Sequence, residues 1–467
     1  MKLVFGIPII LGLLYLSCLN WRLSVKAALV LVVLEGALRK WVLPQASDVV
    51  YFLKDFVLLG AYLRYYVFPS SEQKLTIKNN LLSTFVFLAS GWCLFQAFNP
   101  SLGSPLVGIF GLKVYLFYIP LMWMLPNLFQ SELELYRFLR NYMVLAIPVG
   151  ILGIFQFLSP ADSPINVYAP GDVKNVATFG VNTLVRITGT FSYIGSYGVY
   201  LIVCFGLLIP LIAGKQSYWW KCINILSLLL VVINSLMNGS RSVVFALGLF
   251  LLGYFGIKVI TLSSSSLRFI QQFLLPTIVI TMAASIWFQP ALETFMLRTT
   301  INKDVGGRIA ATFQEPMWFL QYKELDGYGT GATHQATQSL RRVLNLPPGE
   351  SVPLVYEPEP GRIMLELGPI GFFFWYLLRL SIVIYLWLVF WKLKRPRLKE
   401  LALAIFLIQA IQLYSLLVFN HAFSVYYWFL SGFIFLLPRL EQIENSLIEQ
   451  QLQQDVLSSY FPDSPYR

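Results

Sequence analysis

The chain has 467 residues, of which 57% are hydrophobic and only 12% charged. Soluble domains carry roughly 25% charged residues, so an ordinary soluble fold is excluded. The formal charge of +11 does not point to a nucleic-acid partner, because the basic residues are scattered between apolar runs rather than gathered in a patch.

The opening MKLVFGIPIILGLLYLSCLN has a Lys and then an apolar stretch, as a signal peptide does. It lacks an A-x-A-like cleavage site and reads as an uncleaved first span. Apolar runs of roughly 17–25 residues cross a hydrocarbon core of ~30 Å. They fall at 3–19, 24–43, 49–67, 80–98, 105–127, 138–159, 190–214, 222–238, 242–262, 271–289, 367–391, 400–418 and 421–438. The expected fold is therefore all-α and polytopic, with about 12–13 transmembrane helices and membrane lipids as neighbours. The second run is the least typical, since Glu35, Arg39 and Lys40 lie in it. Residues 1–289 form an N-terminal membrane region of about ten spans, 290–366 a large loop, 367–438 the last spans, and 439–467 a Glu- and Gln-rich tail.

Alternate short loops hold Arg22, Lys26, Arg64, Lys74, Lys78, Arg137, Arg140, Lys215, Lys221, Lys258 and Arg268. The same set ends in Lys392, Lys394, Arg395, Arg397 and Lys399. Such a bias marks the cytoplasmic side, which leaves the long loops 160–189 and 290–366 extracytoplasmic. A long ordered loop is usually functional. Within 290–366, a helix is predicted after Gly306-Gly307, and an amphipathic one over 334–346, stopped by Pro347-Pro348. No internal repeat supports an inverted-repeat transporter.

Charge on the extracytoplasmic face runs against this bias, so each residue there needs a reason. Glu35 and Arg39 stand one helical turn apart beside Lys40, with Lys54-Asp55 in the next span. They are either paired structural charges or part of a substrate portal. Arg186 opens Arg186-Ile187-Thr188-Gly189-Thr190-Phe191, as an anion contact or an interfacial anchor. Arg241 lies in Asn238-Gly239-Ser240-Arg241-Ser242, almost all that joins two spans. A tight turn needs Asn and Gly but no arginine, and a guanidinium there suits a diphosphate, gripped by two parallel hydrogen bonds. The plainer alternative is an arginine snorkelling to lipid headgroups. Arg308 sits at a predicted helix N-terminus, where backbone N–H groups also favour an anion.

Glu357 and Glu359, in Glu357-Pro358-Glu359-Pro360-Gly361-Arg362, are held where the chain re-enters the membrane. A carboxylate there can deprotonate an acceptor hydroxyl, or the segment simply stays outside because it is acidic. The chain has two histidines. His334 has no metal partner at useful spacing, and Asn420-His421 reads as a helix cap. The four cysteines have no C-x-x-C spacing. Gly327-Tyr328-Gly329-Thr330-Gly331 follows no predicted strand, so it is not read as a nucleotide loop. Neither a metal nor a cofactor is expected. Lys113 and Arg379 are the main charges deep within spans, a thin path for an exporter.

Asn238-Gly239-Ser240-Arg241-Ser242 between two spans resembles the T-G-S-R-G signature of the O-antigen ligase and O-antigen polymerase family. Arg186-Ile187-Thr188-Gly189-Thr190-Phe191 is similar to that family's R-x-x-G-T-F segment. Gly307-Arg308 with the later glycine-rich stretch resembles the start of its large loop, and Leu365-Glu366-Leu367-Gly368 its close. The resemblance covers about residues 140–440. It implies a membrane glycosyltransferase of a bacterial inner membrane, acting extracytoplasmically on undecaprenyl-diphosphate-linked oligosaccharide without a metal. Flippase and chain-length regulator proteins would be its partners. Arg186, Arg241 and Arg308 would hold the diphosphate, with Arg241 acting in catalysis together with Glu357 or Glu359 as base. Ligases of that family carry a His-Asn pair before the E-L-G glutamate; here Glu357 stands at the matching position. The chain therefore resembles the polymerase members. A ligase, or a flippase or exporter without catalysis, are the alternatives.

Overall fold

The computed structural model describes residues 2–68, 81–169, 176–179, 184–261, 289, 292–293, 296, 305–323, 325–353 and 356–460. Among them the chain is helical, apart from one antiparallel bridge between Thr178 and Val185.

The first helices are α1 (Lys2–Leu19), α2 (Trp21–Ala37), α3 (Ser47–Tyr51) and α4 (Leu53–Tyr62). Asn20 caps α2 by accepting from the Leu23 N–H at 3.1 Å. The helix then widens into a π turn, Leu38–Val42, which carries Arg39 and Lys40; such turns recur at functional sites. Next come α5 (Leu81–Ala97), α6 (Pro105–Leu116), α7 (Pro120–Met124), α8 (Glu132–Met143) and α9 (Ala146–Leu158). Pro120 has no N–H to continue the ladder, so the predicted span 105–127 is broken there. The last helices are α10 (Ile194–Ala213), α11 (Tyr218–Met237), α12 (Arg241–Thr261), α13 (Val305–Phe319), α14 (Thr337–Leu344), α15 (Glu359–Lys392), α16 (Pro396–Ile411), α17 (His421–Ser431) and α18 (Phe433–Tyr460).

The centre of the bundle is α10 and α17, which are buried almost throughout. Around them α10 packs on α11, α12 and α16, while α15 packs on α5, α13, α16 and α18. Seven helical stretches among the described residues are long and apolar enough to cross a membrane: Pro105–Asn127, Glu132–Leu158, Ile194–Ala213, Tyr218–Met237, Arg241–Thr261, Glu359–Lys392 and His421–Gln454. Leu81–Ala97 and Ile10–Leu19 are apolar but shorter. The predicted run 24–43 ends in the π turn, 49–67 is divided into α3, α4 and a second π turn (Leu63–Val67), and 400–418 stops at Ile411. The run 271–289 lies outside the described residues except for Gln289. Both loop helices form, as α13 and α14, with Asn345 closing α14 in the left-handed conformation at φ 50°. The tail continues α18 to Tyr460, exposed over 446–454.

Among the described residues, several basic side chains of the loops that carry the basic surplus are paired with carboxylates at one end of this bundle. There Lys26 pairs with Glu134 at 2.9 Å, Arg395 with Glu132 at 3.0 Å, and Lys258 with Glu400 at 2.6 Å. The residues singled out for chemistry lie at the other end.

α15 is two helical arms joined at Gly368, where φ is 65° and ψ −178°. In a straight helix, residues twenty apart would be about 30 Å away from each other. Here Glu359 touches Arg379, so the turn folds the short arm, 359–367, back beside the long one. A Cβ on Gly368 would fall 2.2 Å from the Leu325 carbonyl oxygen. Gly368→Ala is therefore expected to cost at least about 1–3 kcal/mol through backbone strain and clash. The check is the thermal unfolding midpoint in detergent, which should fall clearly below that of the native protein.

Candidate functional site

The segment of Arg186 and the turn of Arg241, separate in sequence, form one hydrogen-bonded unit. The Asn238 side-chain amide donates to the carbonyls of Ile187 (3.1 Å) and Ile194 (3.2 Å), and Arg186 Nε donates to the Asn238 carbonyl at 3.2 Å. Gly239 has φ 66°, and a Cβ there would lie 2.7 Å from the Phe179 ring. Only glycine meets both demands. Arg241 is the first residue of α12 and half-buried.

Lys40 anchors the other side of the Arg186 segment. Its ammonium donates to Thr188 Oγ1 (3.0 Å), the Gly189 carbonyl (2.7 Å) and the Phe191 carbonyl (2.9 Å), so all three of its donors are engaged. Gln156 Oε1 accepts from the N–H groups of Thr188 (3.2 Å) and Gly189 (2.8 Å). Glu35 meets Lys54 at 2.6 Å and Arg39 at 3.6 Å, and Arg39 also reaches Ser192 Oγ at 3.0 Å. Glu35, Arg39 and Lys40 are thus all engaged by neighbouring groups.

Glu366 organises the end of the long loop. Its carboxylate accepts from Tyr115 OH (2.8 Å), Gly331 N–H (3.0 Å), Thr333 N–H (2.7 Å) and Thr333 Oγ1 (2.8 Å). The Tyr328 and Gly329 N–H groups donate to the carbonyls of Leu365 (2.7 Å) and Glu366 (3.0 Å). Residues 327–333 are thus wedged against α15, and so closely against α6 that a Cβ on Gly111 would meet the Thr330 backbone at 2.4 Å. The glycines serve close packing.

The two proline-spaced glutamates occupy opposite environments. Glu359 is 0% exposed, pairs with Arg379 at 2.5 Å and accepts from the Val418 N–H at 2.9 Å. Arg379 in turn donates to the Gln412 carbonyl at 2.7 Å. Glu357 is in solvent, 3.0 Å from Arg308, with side-chain exposures of 69% and 59%. Such a pair contributes about 0–1 kcal/mol, so Glu357→Gln should leave the unfolding midpoint in detergent nearly unchanged. A large fall would show that Glu357 has a structural role.

The turn that holds Arg241 and the segment of the two glutamates meet at a cavity of about 440 Å³, whose lining includes neither Arg241 nor Arg186. Its polar wall includes Ser240, Ser242, Arg308, Glu357, Glu359 and Asn420, and its apolar wall runs along α10 and α12 from Val199 to Leu249. The turn of Arg241, the α13 arginine and both glutamates therefore share one space.

Sequence reasoning treated the two histidines separately, 87 residues apart, yet their ring centroids lie 5.8 Å from each other. His334 Nδ1 accepts from the Ala336 N–H at 3.1 Å, and His421 Nδ1 lies 3.0 Å from Lys113 Nζ. Lys113 also pairs with Asp55 at 2.7 Å. Burial above all, with the Arg362 and Lys113 charges, holds His334 down to a pKa of about 3, so it is neutral near pH 7. No local spacing could have signalled this pairing.

The seven long apolar helical stretches among the described residues define an all-α polytopic membrane protein. No family model matches the chain, and neither a curated protein nor a solved structure matches it.

Proposed function

We propose that this protein is a membrane glycosyltransferase that polymerises undecaprenyl-diphosphate-linked oligosaccharide repeats at the extracytoplasmic face of a bacterial inner membrane. The observation that carries it is the shared cavity, where the Asn238–Ser242 turn, Arg308 and Glu357 meet beside an apolar wall. A lipid-linked sugar needs both surfaces.

In the reaction, the bond between the anomeric carbon and the diphosphate oxygen breaks. The acceptor hydroxyl forms the new glycosidic bond, and the lipid diphosphate leaves. The largest developing charge is on that diphosphate, so fixed donors aimed at it give the greatest acceleration. We assign that role to Arg186, which donates to the turn that carries Arg241, to Arg241 itself, and to Arg308, which lines the cavity. Glu359 is committed to Arg379 and to a backbone N–H, which leaves Glu357 to take the hydroxyl proton. A ligase would use the same parts on another acceptor; Glu357 in place of the ligase histidine favours a polymerase. The buried charges from Glu35 to Lys113 favour an exporter as the second reading, and exchange of glycan between vesicles without bond formation would support it. Arg241→Ala is expected to abolish long-chain product in producing cells at normal protein level. Long-chain product retained by that variant would overturn the assignment.

A further inference from the structure

Behind the cavity lies a cationic cluster that glycosyl transfer as described leaves unused. Arg39, Lys54 and Lys113 surround the Tyr51 ring at 4.9, 5.0 and 5.5 Å, and the His421 ring meets it edge-on at 4.9 Å. Phe419 bridges to the other side, with Arg362 stacked at 3.4 Å from its centre and the His334 ring at 6.0 Å. Four cations (Arg39, Lys54, Lys113, Arg362) face three carboxylates (Glu35, Asp55, Glu366) here. Among the described residues no carboxylate comes within ion-pair distance of Arg362, which donates instead to the Thr333 carbonyl at 2.6 Å. A surplus half-buried cation among buried groups calls for an anion.

The hydrogen bonds fix the protons on both imidazoles. His334 Nδ1 accepts a backbone N–H, so in the neutral ring the proton is on Nε2. An ammonium has donors only, so His421 Nδ1 accepts from Lys113 and its Nε2 also carries the proton. The two residues are 3% and 8% exposed, and among the described residues neither Nε2 meets an acceptor. Two buried N–H donors thus stand without acceptors beside surplus positive charge. The side chains of Arg39 and Lys113 keep 12% and 17% exposure, so the cluster is not wholly enclosed.

We propose that His334, His421, Lys113 and Arg362 form an oxyanion seat that binds a diphosphate group. The identity of that group as the acceptor repeat's diphosphate, distinct from the leaving one at Arg186, Arg241 and Arg308, rests on the glycosyl-transfer reading; the existence of the seat does not. Only two histidines are present in the chain, so ¹⁵N-histidine labelling of the full-length protein in detergent reports this site alone. Titration with inorganic pyrophosphate and, separately, undecaprenyl diphosphate is expected to shift both Nε2 signals to saturation. Saturation by the lipid at a roughly tenfold lower concentration or less identifies the lipid-linked source, and equal concentrations a free anion. Lys113→Met and His334→Gln should each weaken the titration at least roughly tenfold, while Lys113→Arg should retain it. No shift with either probe, or unchanged titrations in both weakening variants, would overturn the seat. Glycan assembly without histidine shifts would refute the seat alone, whereas shifts without assembly would refute the transferase.

Discussion

Arg379→Ala is expected to destabilise the protein by about 3–5 kcal/mol, because it strands a buried carboxylate without its partner. Glu359 is 0% exposed and is held by Arg379 at 2.5 Å. The pair also fastens the short arm of α15 to the long one and, through the Val418 N–H and the Gln412 carbonyl, to the segment before α17. Replacing both partners together, with Glu359→Gln and Arg379→Met, should cost much less than the single change, since no unpaired charge remains. Thermal unfolding in detergent separates the possibilities. A catalytic Glu359 would give a Glu359→Gln variant that is inactive at unchanged stability, and that result would contradict the structural role given to it here.

Glu366→Ala should be as severe, through unsatisfied donors rather than charge. Four donors converge on this carboxylate, two from backbone and two from hydroxyls. Each one left buried without an acceptor costs about 1–3 kcal/mol, so even with partial relaxation the loss is on the order of 4 kcal/mol. Residues 327–333 would detach from α6 and α15, and with them the wall that carries His334. Limited proteolysis should then cut within 325–336 in the variant and not in the native protein. A variant that keeps this segment protected and melts normally would show that Glu366 does not organise it.

The spans were legible because their signal is compositional, and apolar runs gave α5 and α12 to within one residue and α10 and α11 to within four. Charge placement is reflected in the pairs Lys26–Glu134 and Lys258–Glu400. Breaks inside the runs were less visible. The π turn at Leu38–Val42 is an insertion in helical register with no residue signature, and it turns Lys40 onto the Thr188–Phe191 loop. The site was legible where a glycine or an arginine had no local reason to be present, as in the Asn238–Ser242 turn. It was not legible where two residues differ only by what the fold brings near them. Glu357 and Glu359 are two positions apart, yet α15 begins between them and buries one against Arg379. His334 and His421 meet only because the long loop folds over α6 and the start of α17.

Glycan assembly by purified protein in lipid, with undecaprenyl-diphosphate-linked oligosaccharide repeats as the only substrate, tests the central claim most directly. The product is followed by gel, with Arg241→Ala and Glu357→Gln beside the native protein. A ladder that requires Arg241 and is severely reduced by Glu357→Gln is expected. No bond formation by the native protein with cognate repeats would contradict the transferase account.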